Sequence, residues 1–389
     1  MKVLYIIHAT GMGGATLSFL SMIEGVQKKG VNPIVVGPDH NKEFESILQA
    51  HNIPYYVVPM ELHCYERYKG LAVIKFPFRM LKRFLIWHKS IAKVGEIACK
   101  EEPDIIHTNV GPIHVGHVVA HELSIPHVWH VREYGDKDFR MFEFPTVKFF
   151  RRHLASDHVI CITKDLLRYN HLGTSPNAHA IYNGVRKRND VYYNTDKESF
   201  FLCASRIEET KGHKDVLKAF AAFHERHPFW KLVILGKSEG PFVNQLKQFV
   251  ADHHLNDVVS FEGHKSNVTD YMRRARALIV ASHFEGFGRM TAEASFAGCM
   301  VIGRATGGTL EIMQQTGGLL FNNNDELLSA MEQAASMPEA QYKESVLHAQ
   351  HIAQQLFSEE AYVDNVYSVY NEIVSGGGGK IPLTPAPPD

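Results

Sequence analysis

The sequence predicts an α/β protein built of two parallel-sheet domains, and three observations predict it. Short β-rich runs alternate with helical patterns along the chain, which implies parallel sheets covered on both faces. The alternation breaks at a polar stretch, residues 183–197, and then restarts. A chain of 389 residues, 45% of them apolar, also exceeds what one hydrophobic core normally holds. The first domain is therefore placed at residues 1–185 and the second at 186–357, followed by a helix over 358–374. A cleft between two such domains is the default ligand site.

KVLYII opens the chain as a strand rather than a secretory leader, because turn glycines interrupt the apolar run and an amphipathic helix, residues 15–29, follows. Between them, HATGMGGAT (8–16) is a glycine loop in which Gly13 and Gly14 permit close approach of a phosphate or an acceptor. It fails as a dinucleotide fingerprint, since G-x-G-x-x-G needs glycine where Thr16 stands and Asp39 is only loosely placed for a ribose. NPIVVG, YYVVP, DIIHT, HVWHV and HVICI supply the remaining strands of the first domain. Two strand ends, HTNVG and HVREYGDKD, carry polar residues at one rim; Arg132 and Glu133 are the preferred cleft residues, with His107 and Asn109 behind them. FFLCAS, KLVIL, VVSF, ALIVA and MVIG are the strands of the second domain. The closing pattern FSEEAYVDNVYSVYNEIV is a helix with Tyr362, Val366, Val369, Tyr370 and Ile373 along one side. Residues 375–389, glycine-rich then proline-rich, cannot fill a core and read as a flexible tail or an expression appendage.

Formal charge is −1, so no global field recruits nucleic acid, and no nucleic-acid module is recognised. Five scattered cysteines without a C-x-x-C suit a reducing, cytoplasmic compartment. No apolar run reaches 18 residues, so membrane contact would be peripheral. Residues 67–89 interleave Arg67, Lys69, Lys75, Arg79, Lys82, Arg83 and Lys89 with aromatic and aliphatic side chains. Such a stretch either rests on an anionic membrane, at the inner face of the cell membrane, or packs against the domain with its lysines snorkelling. Asp136-Lys137-Asp138 imitates a metal-binding D-x-D but reads as a charged loop, and His114, His117 and His121 share a helix face with no carboxylate nearby in sequence to complete a zinc site. No metal is expected.

The densest motif is HFEGFGRMTAEASFAG (283–298). ALIVA ends in a loop bearing Glu285, and a helix over 290–296 carries Glu293 about one turn in. Gly286 and Gly288 allow a sharp bend that presents the amides of Phe287, Gly288, Arg289, Met290 and Thr291 at a helix N-terminus, an anion site. Carboxylates on either side would repel phosphate but accept hydrogen bonds from hydroxyls, so the ligand that fits is a diphosphate between two polyols. A nucleotide sugar is such a ligand. Arg206 and Lys211, in ASRIEETKGHKD, add two cations able to clamp the diphosphate and stabilise it as it departs.

Together NGV (183–185), SR-x4-KG (205–212), FEG (261–263), EGFG-x4-E (285–293), AG (297–298) and GG-x2-E (307–311) resemble the retaining glycosyltransferases of family 4. The resemblance implies the GT-B fold: two Rossmann-like α/β domains facing a central cleft, with the C-terminal helix crossing back to the first domain. It implies that Arg206 and Lys211 hold the diphosphate, Glu285 the sugar hydroxyls and Glu293 the ribose, while Gly13 and Gly14 face the donor phosphates. The implied enzyme needs no metal or other cofactor; its donor is a nucleoside diphosphate sugar, UDP by family frequency, and its acceptor a hydroxyl of a lipid-linked or surface-polysaccharide glycan. Many relatives place a histidine near the reacting sugar where this chain has Asn109 and Arg132-Glu133. A nucleotide-sugar epimerase on the same fold is the alternative reading, and oligomeric state is left open.

Overall fold

The computed structural model describes residues 1–66, 76–138 and 140–376. It divides into two compact units, Met1–Gly184 with the segment from Glu359 onward, and Val185–Ser358.

The first unit is a seven-stranded sheet in the order Tyr55–Val57, Asn32–Gly37, Lys2–Ile6, Ile105–Thr108, His127–Val131, His158–Cys161, Ala178–Ala180. Every pair is parallel. The central strand is apolar on both faces, Val3 through Ile6 being wholly buried, as a sheet covered by helices on both sides requires. One face packs against helix Gly14–Lys28 and the terminal helix Glu359–Ser375, where Tyr5, Phe19 and Met22 meet Tyr362, Val366 and Tyr370. The other carries Val94, Ile97 and Ala98 of helix Phe76–Glu101 beside Val115 and Val119. Thus the chain's last helix completes the core of its first unit, as the GT-B expectation requires.

The second unit is a six-stranded parallel sheet, ordered Val259–Phe261, Lys231–Leu235, Glu198–Ala204, Ala275–Val280, Met300–Arg304, Leu319–Phe321. Its core joins Phe201, Phe220 and Phe223 with Ile279, Ile302 and Phe321. Sequence periodicity missed Ala178–Ala180 and Leu319–Phe321, and also the antiparallel pair Cys64–Glu66 with Met141–Glu143. In both units the loops that follow the strands' carboxyl ends carry the candidate site residues.

Candidate functional site

In the second unit a pocket of about 200 Å³ opens beyond the carboxyl ends of strands Glu198–Ala204 and Ala275–Val280. It is lined by Arg206, Lys211, Glu285, Gly288, Arg289 and Met290, with Ser205, His213 and the ends of both strands. Three loops meet there, and glycines let them close. A Cβ on Gly212, whose φ is +72°, would stand 2.1 Å from the Ala281 carbonyl oxygen, and one on Gly308 would stand 2.1 Å from that of Phe287. No side chain larger than hydrogen is compatible with either approach. The Gly308 amide in turn donates to the Glu285 carbonyl at 2.8 Å, and the His283 amide to that of Thr210 at 2.8 Å, so the Glu285 loop is pinned from both sides.

Lys211 and Glu285, 74 positions apart, form an ion pair at 2.7 Å with side chains only 15% and 24% exposed. An amine held there is neutralised until an anion arrives to share it. Arg206 is different: its side chain is 71% exposed and pairs with Glu208 at 3.0 Å, a flexible cation at the pocket's edge. Helix Arg289–Phe296 begins at Gly288, whose φ of +87° turns the chain into the helix. Two details differ from expectation. Thr291 is fully buried and its amide donates to the Gly288 carbonyl, so it belongs to the helix rather than to the open turn. Glu293 accepts Arg289 Nε at 2.9 Å, so the acid expected to meet a ribose has an internal partner. Phe287 is largely buried, against Phe357.

Sequence reasoning passed over His213. It follows the KG of the second motif, is buried and lines the pocket. Burial lowers its pKa to about 4, with the Lys211 charge adding to the effect, so it is a neutral imidazole at physiological pH. Its place one residue after the motif's glycine was the available signal. Cys203 also lines the pocket, but burial pushes its thiol up to about 12, which makes it a poor nucleophile.

In the first unit the glycine loop is held by its threonines. Thr10 Oγ1 donates to Asp39 at 2.6 Å and Thr16 Oγ1 to the Gly11 carbonyl at 2.6 Å, which explains a threonine where a dinucleotide loop has its third glycine. Gly13 caps helix Gly14–Lys28, and a Cβ there would meet nothing within 4 Å, so the turn faces open space. Arg132 is buried and its guanidinium donates to Asn109, Asn183 and Tyr362 Oη, tying two strand ends to the terminal helix. Those internal bonds make it a keystone of the unit. His107, a runner-up for the rim, is wholly buried with Nδ1 2.6 Å from Tyr370 Oη and belongs to the core. Glu133 accepts the Gly111 amide at 2.8 Å, and burial raises its pKa to about 7. It is a carboxyl poised to exchange a proton near neutrality. The D-x-D look-alike is a hydrogen-bonded loop, with Asp136 accepting Tyr169 Oη and Asp138 the Tyr134 amide.

Of the basic-aromatic stretch, residues 67–75 lie outside the described residues, as do residues 377–389 of the tail. The described part, helix Phe76–Glu101, leaves Phe78, Leu81, Phe84 and Leu85 half to three-quarters exposed. Among the described residues no helix is long and apolar enough to cross a membrane.

Two family models divide the chain between them. One, described as Glycosyltransferase Family 4, matches residues 12–188, and the other, described as Glycosyl transferases group 1, matches residues 186–345. The second spans the whole of the pocket just described. The chain is a GT-B glycosyltransferase. Among curated relatives, this glycosyltransferase is 24% identical over 287 residues to an uncharacterised glycosyltransferase of Methanocaldococcus jannaschii, covering 72% of this chain and 78% of that one. It is 25% identical over 241 residues to the N-acetyl-alpha-D-glucosaminyl L-malate synthase of Bacillus anthracis, covering 57% of this chain and 62% of that one. With the alpha-monoglucosyldiacylglycerol synthase of Acholeplasma laidlawii it shares 21% identity over 95% of its own length and 96% of the other's. Among solved structures, HepE of Anabaena in complex with UDP superposes with a TM-score of 0.78 at 19% identity, covering 96% of this chain and 100% of that one. A likeness at that identity concerns the fold.

Proposed function

We propose that this glycosyltransferase moves a sugar from a nucleoside diphosphate sugar, UDP-linked, to an acceptor hydroxyl with retention of anomeric configuration and without a metal. The observation that carries the reading is the gathering of Lys211, Arg206 and Glu285 around one pocket at the start of helix Arg289–Phe296. In this reading the diphosphate lies on the amides at that helix start, and Lys211 and Arg206 take up the charge that grows as the glycosidic bond breaks. Glu285, relieved of part of its ion pair, accepts hydroxyls of the sugar. Glu293 exchanges its bond with Arg289 for the ribose hydroxyls.

The bond from the anomeric carbon to the phosphate oxygen breaks while the bond to the acceptor oxygen forms on the same face. The acceptor's proton passes to the departing phosphate, so no general-base carboxylate is needed at the sugar. On the acceptor side we assign Glu133 to binding the acceptor and Arg132 to holding that strand end in shape, with Gly13 and Gly14 leaving room for phosphate or acceptor. The solved HepE complexes with UDP and with UDP-glucose support uridine as the base. The likeness to a diacylglycerol-modifying synthase and the exposed apolar side chains of helix Phe76–Glu101 support a lipid-linked or surface-glycan acceptor met at the inner face of a membrane.

Thermal-shift measurement against a panel of nucleoside diphosphates tests the donor assignment, since a ligand at 100 times its Kd adds about 2.7 kcal/mol to native stability. UDP should raise the melting temperature of the native protein and not that of Lys211→Ala; equal shifts in both would refute the assignment. Donor supplied alone should stay unchanged except for slow hydrolysis. Its conversion to an epimer without release of UDP would replace transfer by isomerisation.

A further inference from the structure

The first unit holds a histidine cluster that the transfer reaction does not use. His117 and His121 lie one turn apart on helix Val115–Leu123, and the fold brings Asp157, at the end of helix Val147–Ser156, between them. His117 Nδ1 is 2.7 Å from Asp157 Oδ2 and His121 Nε2 is 2.7 Å from Oδ1. The tertiary structure supplies the carboxylate that meets both histidines from 36 positions beyond His121. One donor atom from each of the three residues lies within 4.8 Å of the other two.

We propose that His117, His121 and Asp157 bind a divalent transition-metal ion of the zinc type, with water in the fourth position. Ligands of a tetrahedral ion at about 2.0–2.1 Å stand about 3.3 Å from one another, so the 2.7 Å contacts to Asp157 open by about half an ångström while the wider separations, within 4.8 Å, draw in. Each imidazole is brought into play by moving its proton to the other ring nitrogen, which frees the lone pair that faces Asp157. An outer layer is already present. His127 Nδ1 and Trp129 Nε1 donate to Asp157 Oδ2 at 2.7 and 2.8 Å, and His127 Nε2 is fixed by Thr108 Oγ1 at 2.8 Å. Partners of this kind orient a ligating carboxylate. His117 and Asp157 are buried while the His121 side chain is 52% exposed, so an ion reaches the site from solvent through His121. Bound there, it would clip two helices of the first unit together and act on stability rather than on transfer.

The full-length protein, stripped with chelator and dialysed, is titrated with zinc chloride alone by calorimetry and with cobalt(II) by visible absorption. One ion per chain, with the intense absorption of tetrahedral cobalt, is expected. His121→Ala should weaken that binding by at least about 10- to 100-fold, the effect that losing even an outer partner has on a metal site. It should leave the melting temperature of the stripped protein unchanged, because His121 is half exposed. His40→Ala, which removes an exposed histidine elsewhere, should bind as the parent does. No stoichiometric binding by the parent, or equal binding by His121→Ala, overturns the proposal.

Discussion

Replacing Glu133 with glutamine is expected to stabilise the protein above neutrality and to change little in acid. Burial, together with the nearby Asp138 charge, lifts the Glu133 carboxyl from its ordinary 4.5 to about 7, although the Gly111 amide and Arg132 pull the other way. Between these two values the folded chain holds a proton that the unfolded chain has released, so stability is full below pH 4.5 and is lost as pH rises to about 7. The difference of about 2.5 pH units, at about 1.4 kcal/mol each, sets the loss at about 3.5 kcal/mol. Glutamine cannot ionise but keeps an oxygen for the Gly111 amide, so the variant should escape this loss without giving up the contact. Glu143, which burial and the Glu133 charge raise to about 8, loses the Glu133 part of that rise in the variant, which adds to the gain at pH 8. The assay is urea denaturation at pH 4 and pH 8, followed by the fluorescence of Trp129, which is buried in the same unit. The stability gap between variant and parent should widen by about 3.5 kcal/mol or more from the lower pH to the higher. A gap independent of pH would show that the Glu133 carboxyl is hydrated and ordinary.

Lys211→Ala should lower kcat by about 10²–10³-fold, the usual result of removing one donor to developing charge, and steady-state kinetics showing a change of only a few fold would remove it from the leaving-group site. Glu293→Gln should weaken donor affinity in calorimetry more than it slows single-turnover transfer; unchanged affinity would separate Glu293 from the ribose. In Gly308→Ala the new methyl meets the Phe287 carbonyl, which is backbone and cannot rotate away, so about 1–3 kcal/mol of stability should be lost in chemical denaturation along with donor affinity. Stripping metal with EDTA should leave transfer intact while lowering the melting temperature of zinc-loaded protein; abolished transfer would place a metal in the reaction.

Much of the fold was legible because its signals are local. Strands such as Lys2–Ile6 and Ala275–Val280 announce themselves through the apolar runs VLYII and ALIVA, and the terminal helix by the spacing of Tyr362, Val366 and Tyr370. The pocket residues Arg206, Lys211 and Glu285 were legible for a related reason, since each stands within a few positions of a strand end, where an α/β sheet exposes its loops. His213 was not legible, because burial gave it its character, and burial is a property of neighbours brought in from elsewhere. The same holds for Arg132, whose partners Asn109, Asn183 and Tyr362 are scattered over the chain and turn a candidate cleft cation into a structural tie.

The sequence by itself determined the alternation of strands and helices, the two-sheet architecture and the positions of the charged loops, because backbone geometry repeats every two or 3.6 residues and side-chain polarity follows it. Only the tertiary structure decided which charges meet. The Lys211–Glu285 pair, the raised pKa of Glu133 and the convergence of His117, His121 and Asp157 all depend on separations of about three to five ångströms between groups dozens of positions apart. Electrostatic and coordination energies are set by such distances and by the exclusion of water, and neither quantity is written in the spacing of residues along a chain.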